Sequence, residues 1–280
     1  MRALDAPRQA AQDRGSFAVR RMGLRIGVAG IAGRMGRMLA DEVRAAAELA
    51  GGTERPEAAP SVPPGVRLFA DMAALAAASD AVLDFTHASA VAGHAKALAD
   101  AGTAWVLGTT GLSAEGEAAV ATAARRIAVV QAPNFSPGVN LMLALAERMA
   151  AALPAASYDA EIVEMHHRQK VDAPSGTALG LGRAVAHGRG VAFEPLVESG
   201  RHGHTGARKT GAIGFAALRG GQVVGEHTLI FAAADEQITL THRAFDRRAF
   251  AAGAVRAALW TAGRPPGLYS MMDVLGMRAD

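Results

Sequence analysis

The chain has 280 residues, a formal net charge of +3, half of its residues apolar, and no cysteine. That length suits one large or two modest domains. The apolar content excludes a disordered chain, and the lack of cysteine excludes a disulfide scaffold, a thiolate metal site and a cysteine nucleophile. Five arginines and two aspartates before Leu24 supply the whole charge excess, so the balanced remainder gives no basic surface for nucleic acid.

Residues 1–22 read as a solvated, disordered basic extension. They lack the apolar stretch of a secretory signal, and their two acids suit a transit peptide poorly. Met22, just before the first apolar run, marks an alternative start. No apolar run approaches the ~20 residues of a membrane-spanning helix.

The first predicted element is the strand "LRIGVAG", Leu24 to Gly30, a short β-branched apolar run. "RMGRMLADEVRAAAEL" follows as a helix of strong helix formers. "AGGTERP" reads as a short second strand ending at Glu54 and Arg55, and "PEAAPSVPPGV" as a loop in which helix is disfavoured. The chain then alternates: helix "MAALAAAS", strand "AVLDFT", helix "AVAGHAKALADAG", strand "AWVLGTTG", helix "AEGEAAVATAARR", strand "IAVVQAPNF". This alternation predicts a parallel, doubly wound sheet that binds ligands at the carboxyl ends of its strands.

The pattern changes after "NFSPGVN". "VNLMLALAERMAAAL" is a long apolar helix, "DAEIVEMHH" a strand, and another helix starts near Ser175. From Ile213, "IGFAALR", "QVVGEHTLIFAA" and "QITLTHRA" read as three strands of an antiparallel meander. "RRAFAAGAVRAALWTAG" closes as a helix. The expected fold is a nucleotide-type α/β domain followed by a smaller α+β domain.

Two stretches carry chemistry. In "GVAGIAGRMG", Gly30, Gly33 and Gly36 sit between the first strand and the first helix. There glycine permits a tight turn, and the free N–H groups of the helix start suit a pyrophosphate. Glu54, 18 residues after Gly36, is placed for the hydroxyls of an adenine ribose, and Arg55 for a 2′-phosphate, so both NADH and NADPH are expected.

In "EIVEMHHRQKVDAPSGTA", strand alternation sends His166 and His167 to opposite faces, unless the strand ends early near Met165 or bulges. Lys170 follows in a loop, and Asp172 or Ser175 can cap the next helix. Its first amides, at Gly176 and Thr177, form an anion site. Imidazole and ammonium beside such a site describe a pocket for a carboxylate-bearing substrate with a proton donor at hand. His166, His167, His202 and His204 raise a metal reading. Adjacent histidines on a strand diverge, no carboxylate has a familiar ligand spacing, and Lys170 repels a cation, so no metal is expected.

These stretches, with "LDFTHASA", "LGTTGLS", "QAPNFSPGVNLML" and "GHTGARKTGAIGFAALRGGQVVGEHTLIF", resemble the 4-hydroxy-tetrahydrodipicolinate (dihydrodipicolinate) reductase family of bacterial lysine and diaminopimelate synthesis. The resemblance runs from Leu24 to the C-terminus. It implies an oxidoreductase with a Rossmann-type domain of residues 23–133 and 247–280. The implied substrate-binding and tetramerisation domain, residues 134–246, has an open mixed sheet. His166 and Lys170 become the catalytic proton carriers, and His167, Ser175, Gly176 and Thr177 the substrate positions. Gly30, Ile31, Ala32, Gly33, Arg34, Met35, Glu54, Arg55, Gly108, Thr109, Thr110, Ala132, Pro133, Asn134 and Phe135 become the cofactor positions. A cytoplasmic homotetramer acting on a small dicarboxylate, without membrane or nucleic-acid partners, is the expectation. Rival readings are another NAD-dependent dehydrogenase, which has no need of the His-His-x-x-Lys block, and a non-catalytic dinucleotide-binding module.

Overall fold

Buried strands and amphipathic helices account for most of the computed structural model, which describes residues 23–277. The basic extension expected over residues 1–22 lies outside the described residues. In chain order the first elements are β1 Arg25–Ala29, α1 Arg34–Ala46, β2 Glu48–Thr53, α2 Met72–Ala77, β3 Ala81–Asp84, α3 Val91–Ala101 and β4 Ala104–Leu107. Then come α4 Ala114–Ala123, β5 Ala128–Gln131, α5 Pro137–Ala152, β6 Asp159–His166, α6 Gly176–Gly188, β7 Val197–Ser199 and β8 Ile213–Arg219. The last are β9 Gly225–Ala232, β10 Gln237–Ala244, α7 Arg248–Thr261, β11 Gly267–Tyr269 and α8 Met271–Leu275. They form two units, one of residues up to Phe135 plus those from Phe250, the other Ser136–Ala249.

The first unit holds a six-stranded sheet in the order β11-β5-β4-β3-β1-β2, with every pairing parallel. Successive side chains of a strand point to opposite faces, and here both faces are covered. On β3 and β4, Leu83 and Val106 pack with Leu39 and Val43 of α1 and Ala254 of α7. Val82 and Trp105 turn the other way, against Leu75 and Leu98. The chain leaves β1 toward β2, then returns to β1's other side for β3, so the strand order switches direction at β1. In sheets of this kind ligands bind at that switch, outside the carboxyl ends.

The second unit holds a five-stranded sheet in the order β10-β9-β6-β8-β7. Along β6 burial alternates without interruption, with Ala160, Ile162, Glu164 and His166 on the buried face. Ala160 and Ile162 join Phe231, Leu229 and Phe215 beneath Met142 of α5 and Leu181 of α6. On the other face Glu161 meets Arg201 and Arg208.

Three sequence expectations are corrected. The helix after the glycine loop stops at Ala46, and Glu48 and Leu49 belong to β2, paired with Arg25 and Ile26. Parallel pairing to a buried strand outweighs their helix propensity. The proline-rich bridge contains a 3₁₀ turn, Pro56–Ser61, where a loop without helix was expected. The meander from Ile213 is interrupted, because β6 lies between β8 and β9, parallel to the first and antiparallel to the second. The two strands are then about 10 Å apart, two strand spacings, which the five residues 220–224 can span.

Candidate active site

β6 changes character along its buried face: Ala160 and Ile162 lie in the core, and two residues later the same pleat presents Glu164 and His166. β9 changes in parallel, with His227 directly opposite Glu164. β8 contributes Arg219 beside His166. β6 ends at His166, one residue past the expected Met165, without a bulge, and His167 is the first residue beyond it. The Gly-Gly turn closes over this end, with Gly220 N–H donating to the His166 carbonyl and Arg168 N–H to the Gly221 carbonyl.

Glu164 is 1% exposed, and its carboxylate accepts four hydrogen bonds. Oε2 lies 2.6 Å from His166 Nδ1 and accepts from Arg219 at 2.8 Å. Oε1 accepts from the other Arg219 nitrogen at 2.9 Å and from the Ser175 amide at 3.1 Å. Burial pushes the Glu164 carboxyl up, but the guanidinium and the imidazole outweigh it, and the group stays ionised below its usual range. Burial also lowers the His166 pKa, with Lys170 and Arg219 adding to the effect, and Glu164 only partly offsets them. His166 is therefore neutral at pH 7, donating Nδ1–H to Glu164. Its Nε2 faces Gly225, where a Cβ would approach within 3.0 Å.

His227 packs edge-on to His166, with ring centroids 5.0 Å apart. Burial and the neighbouring His166 lower its pKa to about 4. The Ser175 hydroxyl accepts from the Ala178 amide as the N-cap of α6 and lies 3.0 Å from His227 Nε2, within hydrogen-bond distance. Ser175, not Asp172, is thus the cap. Beyond it, a Cβ at Gly176 would meet nothing within 4 Å, which leaves room for a ligand at the start of α6.

Lys170 donates to both carboxylate oxygens of Asp172 at 2.8 Å. That bond holds the Asp172 pKa low. His167 Nε2 lies 3.3 Å from an Arg247 nitrogen, which must donate, so Nδ1 carries the ring proton. The structure thus gathers His166, Lys170 and Ser175–Thr177 about the end of β6, while His167 is held by Arg247. Among the described residues no group of His, Asp and Glu is arranged to hold a metal.

In the first unit, the glycine loop follows β1. Gly30 has φ of +67°, and a Cβ on Gly36 would stand 2.1 Å from the Gly30 carbonyl oxygen. Only glycine permits that approach. Gly33 caps α1 and puts no side chain over its first amides. At the strand-order switch is a 940 Å³ cavity lined by Gly30, Gly33, Glu54, Arg55, Thr86 and His94, among others. A second, of 450 Å³, is lined by Met35, Gly108, Thr109 and Thr110, and both share Phe85, Thr86 and His87. Bare helix amides, glycine-only clearance and room at the carboxyl ends fit a dinucleotide.

Other expected cofactor residues differ in what they can offer. Ile31, Ala132 and Phe135 are buried, and Phe135 stacks at an angle on Phe85, so their side chains belong to the core. Glu54 accepts from the amides of Ala32 at 2.8 Å and Arg55 at 2.9 Å. Arg55 pairs with Glu57. Arg34, Pro133 and Asn134 line neither cavity.

Sequence reasoning missed Glu164, Arg219 and His227, and it missed Asp84 with Phe85–His87. Glu164 had a readable signal, since it lies two residues before His166 on the same pleat. Arg219 and His227 arrive through strand pairings that no local pattern encodes.

Two family models match the chain: "Dihydrodipicolinate reductase, N-terminus" over residues 24–135 and "Dihydrodipicolinate reductase, C-terminus" over residues 138–275. The chain belongs to the dihydrodipicolinate reductase family. A 4-hydroxy-tetrahydrodipicolinate reductase from Granulibacter bethesdensis is 69% identical, covering 91% of this chain and 98% of that one. One from Gluconacetobacter diazotrophicus is 62% identical over the same shares. Among solved structures, a dipicolinate-bound dihydrodipicolinate reductase from Paenisporosarcina sp. TG-14 superposes with TM-score 0.72 at 26% identity. It covers 90% of this chain and 99% of that one. A probable dehydrogenase from Thermotoga maritima, 13% identical with TM-score 0.56, shares the fold and covers 91% of this chain and 93% of its own. Membership makes the protein an oxidoreductase with a dinucleotide-binding domain, and none of its described helices is long and apolar enough to cross a membrane.

Proposed function

We propose that the protein is a 4-hydroxy-tetrahydrodipicolinate reductase that uses NADPH or NADH. The substrate loses water and gains one hydride and one proton, giving tetrahydrodipicolinate. A reduced nicotinamide, when bound, supplies the hydride. The observation that carries this reading is the buried His166, anchored through Nδ1 with Nε2 open over Gly225, beside Lys170 and the start of α6.

The residues divide the remaining work. One substrate carboxylate sits on the Gly176 and Thr177 amides, and the Lys170 ammonium turns to it from Asp172. The arriving negative charge raises the His166 pKa, which loads the imidazole with a proton. His166 or Lys170 then hands over the proton that hydride addition requires. Gly30, Gly33 and Met35 would hold the pyrophosphate, Glu54 the ribose and Arg55 a 2′-phosphate, and Gly108–Thr110 would complete the cofactor site. His167, Ser175, Arg34 and the Ala132–Phe135 backbone keep supporting roles in substrate and cofactor binding.

We further propose a cytoplasmic homotetramer built through the second sheet. Ala216, Ala217 and Leu218 of β8 and Ile238 of β10 are exposed there.

The test is oxidation of NADPH and NADH with substrate generated in situ from pyruvate and aspartate semialdehyde. Wild-type protein should turn over, while His166→Gln and Lys170→Ala should each lose on the order of 100-fold or more in kcat. No oxidation by a wild-type protein that binds cofactor would sink the reading. Light scattering coupled to size exclusion tests the tetramer.

A further inference from the structure

Glu164 is buried, yet it bonds both to the His166 ring and to the Ser175 amide that opens α6. A carboxylate pinned by arginine alone would need only the two fork bonds from Arg219. Here each oxygen takes one further donor, from opposite sides of the site: the His166 ring on Oε2 and the Ser175 amide on Oε1. Four donors use the full acceptor capacity of a carboxylate. We propose that Glu164, held by Arg219, is a positioning residue that sets His166 and the first turn of α6 in register through one carboxylate.

This inference rests on the assignment of His166 to proton transfer. The geometry has two consequences. First, the Nδ1–H···Oε2 bond fixes the tautomer, so that Nε2 is the nitrogen offered to substrate. Glutamine at 164 cannot reproduce this, because its NH₂ would face a donor whichever way the amide turns.

Second, the charges around His166 oppose one another. Glu164 on its own strand favours the imidazolium. Arg219 on β8 and Lys170 in the loop disfavour it. Lys170 is partly neutralised by Asp172, and His227 on β9, backed by His242 on β10, is neutral. Burial is the largest influence against the imidazolium, and Arg219, like Lys170, adds to it in opposition to Glu164. Removing Glu164's charge should lower the His166 titration midpoint, and removing Arg219's charge should raise it. A purely structural pair would not move it in opposite directions.

The experiment follows His166 by imidazole NMR in the ligand-free full chain, its resonance assigned by loss in His166→Gln. kcat and KM are measured alongside. For Glu164→Gln we expect a downward-shifted midpoint, kcat reduced about 100-fold, as for a misplaced catalytic group, and KM for NADPH unchanged. Arg219→Gln should shift the midpoint upward, and Arg219→Lys should restore it. If Glu164→Gln fails to fold, the two Arg219 variants decide alone, since no shift in Arg219→Gln overturns the proposal. A folded Glu164→Gln with wild-type midpoint and kcat overturns it as well. Near-normal turnover in His166→Gln would instead remove the underlying assignment.

Discussion

Asp84 carries the most quantitative prediction, because one buried carboxylate fixes the segment shared by the two cavities beside the glycine loop. It is 0% exposed at the carboxyl end of β3. Its oxygens accept from the Thr86 amide at 3.1 Å and the Thr86 hydroxyl at 2.6 Å, and Oδ2 lies 2.8 Å from His94 Nδ1. Burial raises its pKa, but His94 and Thr86 more than compensate, so it remains ionised. Hydrogen bonds to a charged group contribute about 1.5–3 kcal/mol each. Three of them would suggest about 4.5–9 kcal/mol, but alanine also removes the cost of burying the charge, and the partly exposed His94 can turn to water. We therefore expect Asp84→Ala to lose about 3 kcal/mol and Asp84→Asn, which keeps the shape and an acceptor for Thr86, about 1 kcal/mol. Both tryptophans, Trp105 and Trp260, lie in the first unit, so their fluorescence in urea reports its unfolding specifically. NADPH affinity should fall with stability, since Phe85–His87 lose their anchor. Asp84→Ala within 0.5 kcal/mol of wild type (about half the usual worth of one hydrogen bond), or an Asn variant as damaged as the Ala one, would refute the reasoning.

Arg55→Ala should weaken NADPH binding and leave NADH binding nearly unchanged, and titration with each cofactor will tell, since equal losses exclude a 2′-phosphate contact. His227 is depressed from 6.5 to about 4 in the folded protein. The unfolded chain therefore takes up its proton first, so this histidine's contribution is complete above pH 6.5 and is lost as pH falls toward 4, roughly 3 kcal/mol in all. Circular dichroism melts of His227→Gln should show a flatter dependence over that window than wild type. Gly225→Ala sets a methyl 3.0 Å from His166 Nε2. It should reduce kcat by on the order of 10-fold, the equivalent of about 1.4 kcal/mol of displaced geometry, with the melting temperature little altered.

What the sequence revealed follows how local each signal is. The glycine loop was legible because strand, turn and helix adjoin along the chain, and Gly36 closes on Gly30 and Ile31 within the same loop. His166, Lys170 and Ser175 were legible as one block of ten residues. Arg219 was not, being brought beside His166 by a parallel pairing across 53 residues. The insertion of β6 was hidden too, since a Gly-Gly turn between two apolar runs is also how a simple hairpin is written. Glu48 and Leu49 misled because their helix propensity is real and a buried partner overrode it. Phe85 and Thr86 read as the end of the strand "AVLDFT", but that strand stops at Asp84 and they belong with His87 to the turn beyond it. Their exposure to the cavities depends on the strand order, which reverses at β1 and appears only in three dimensions.

The central place of β6 also bears on how the protein acquires its activity. β9 and β10 join through a tight turn and can pair early, at small loop-closure cost. β6 must find β9 and β8 from far along the chain, and the ring of groups around Glu164 exists only once both edges have closed. A chain whose helices and β9–β10 hairpin have re-formed after dilution from denaturant is thus still inactive. Recovery of turnover should lag recovery of helical signal, with the interval measuring the docking of that one strand.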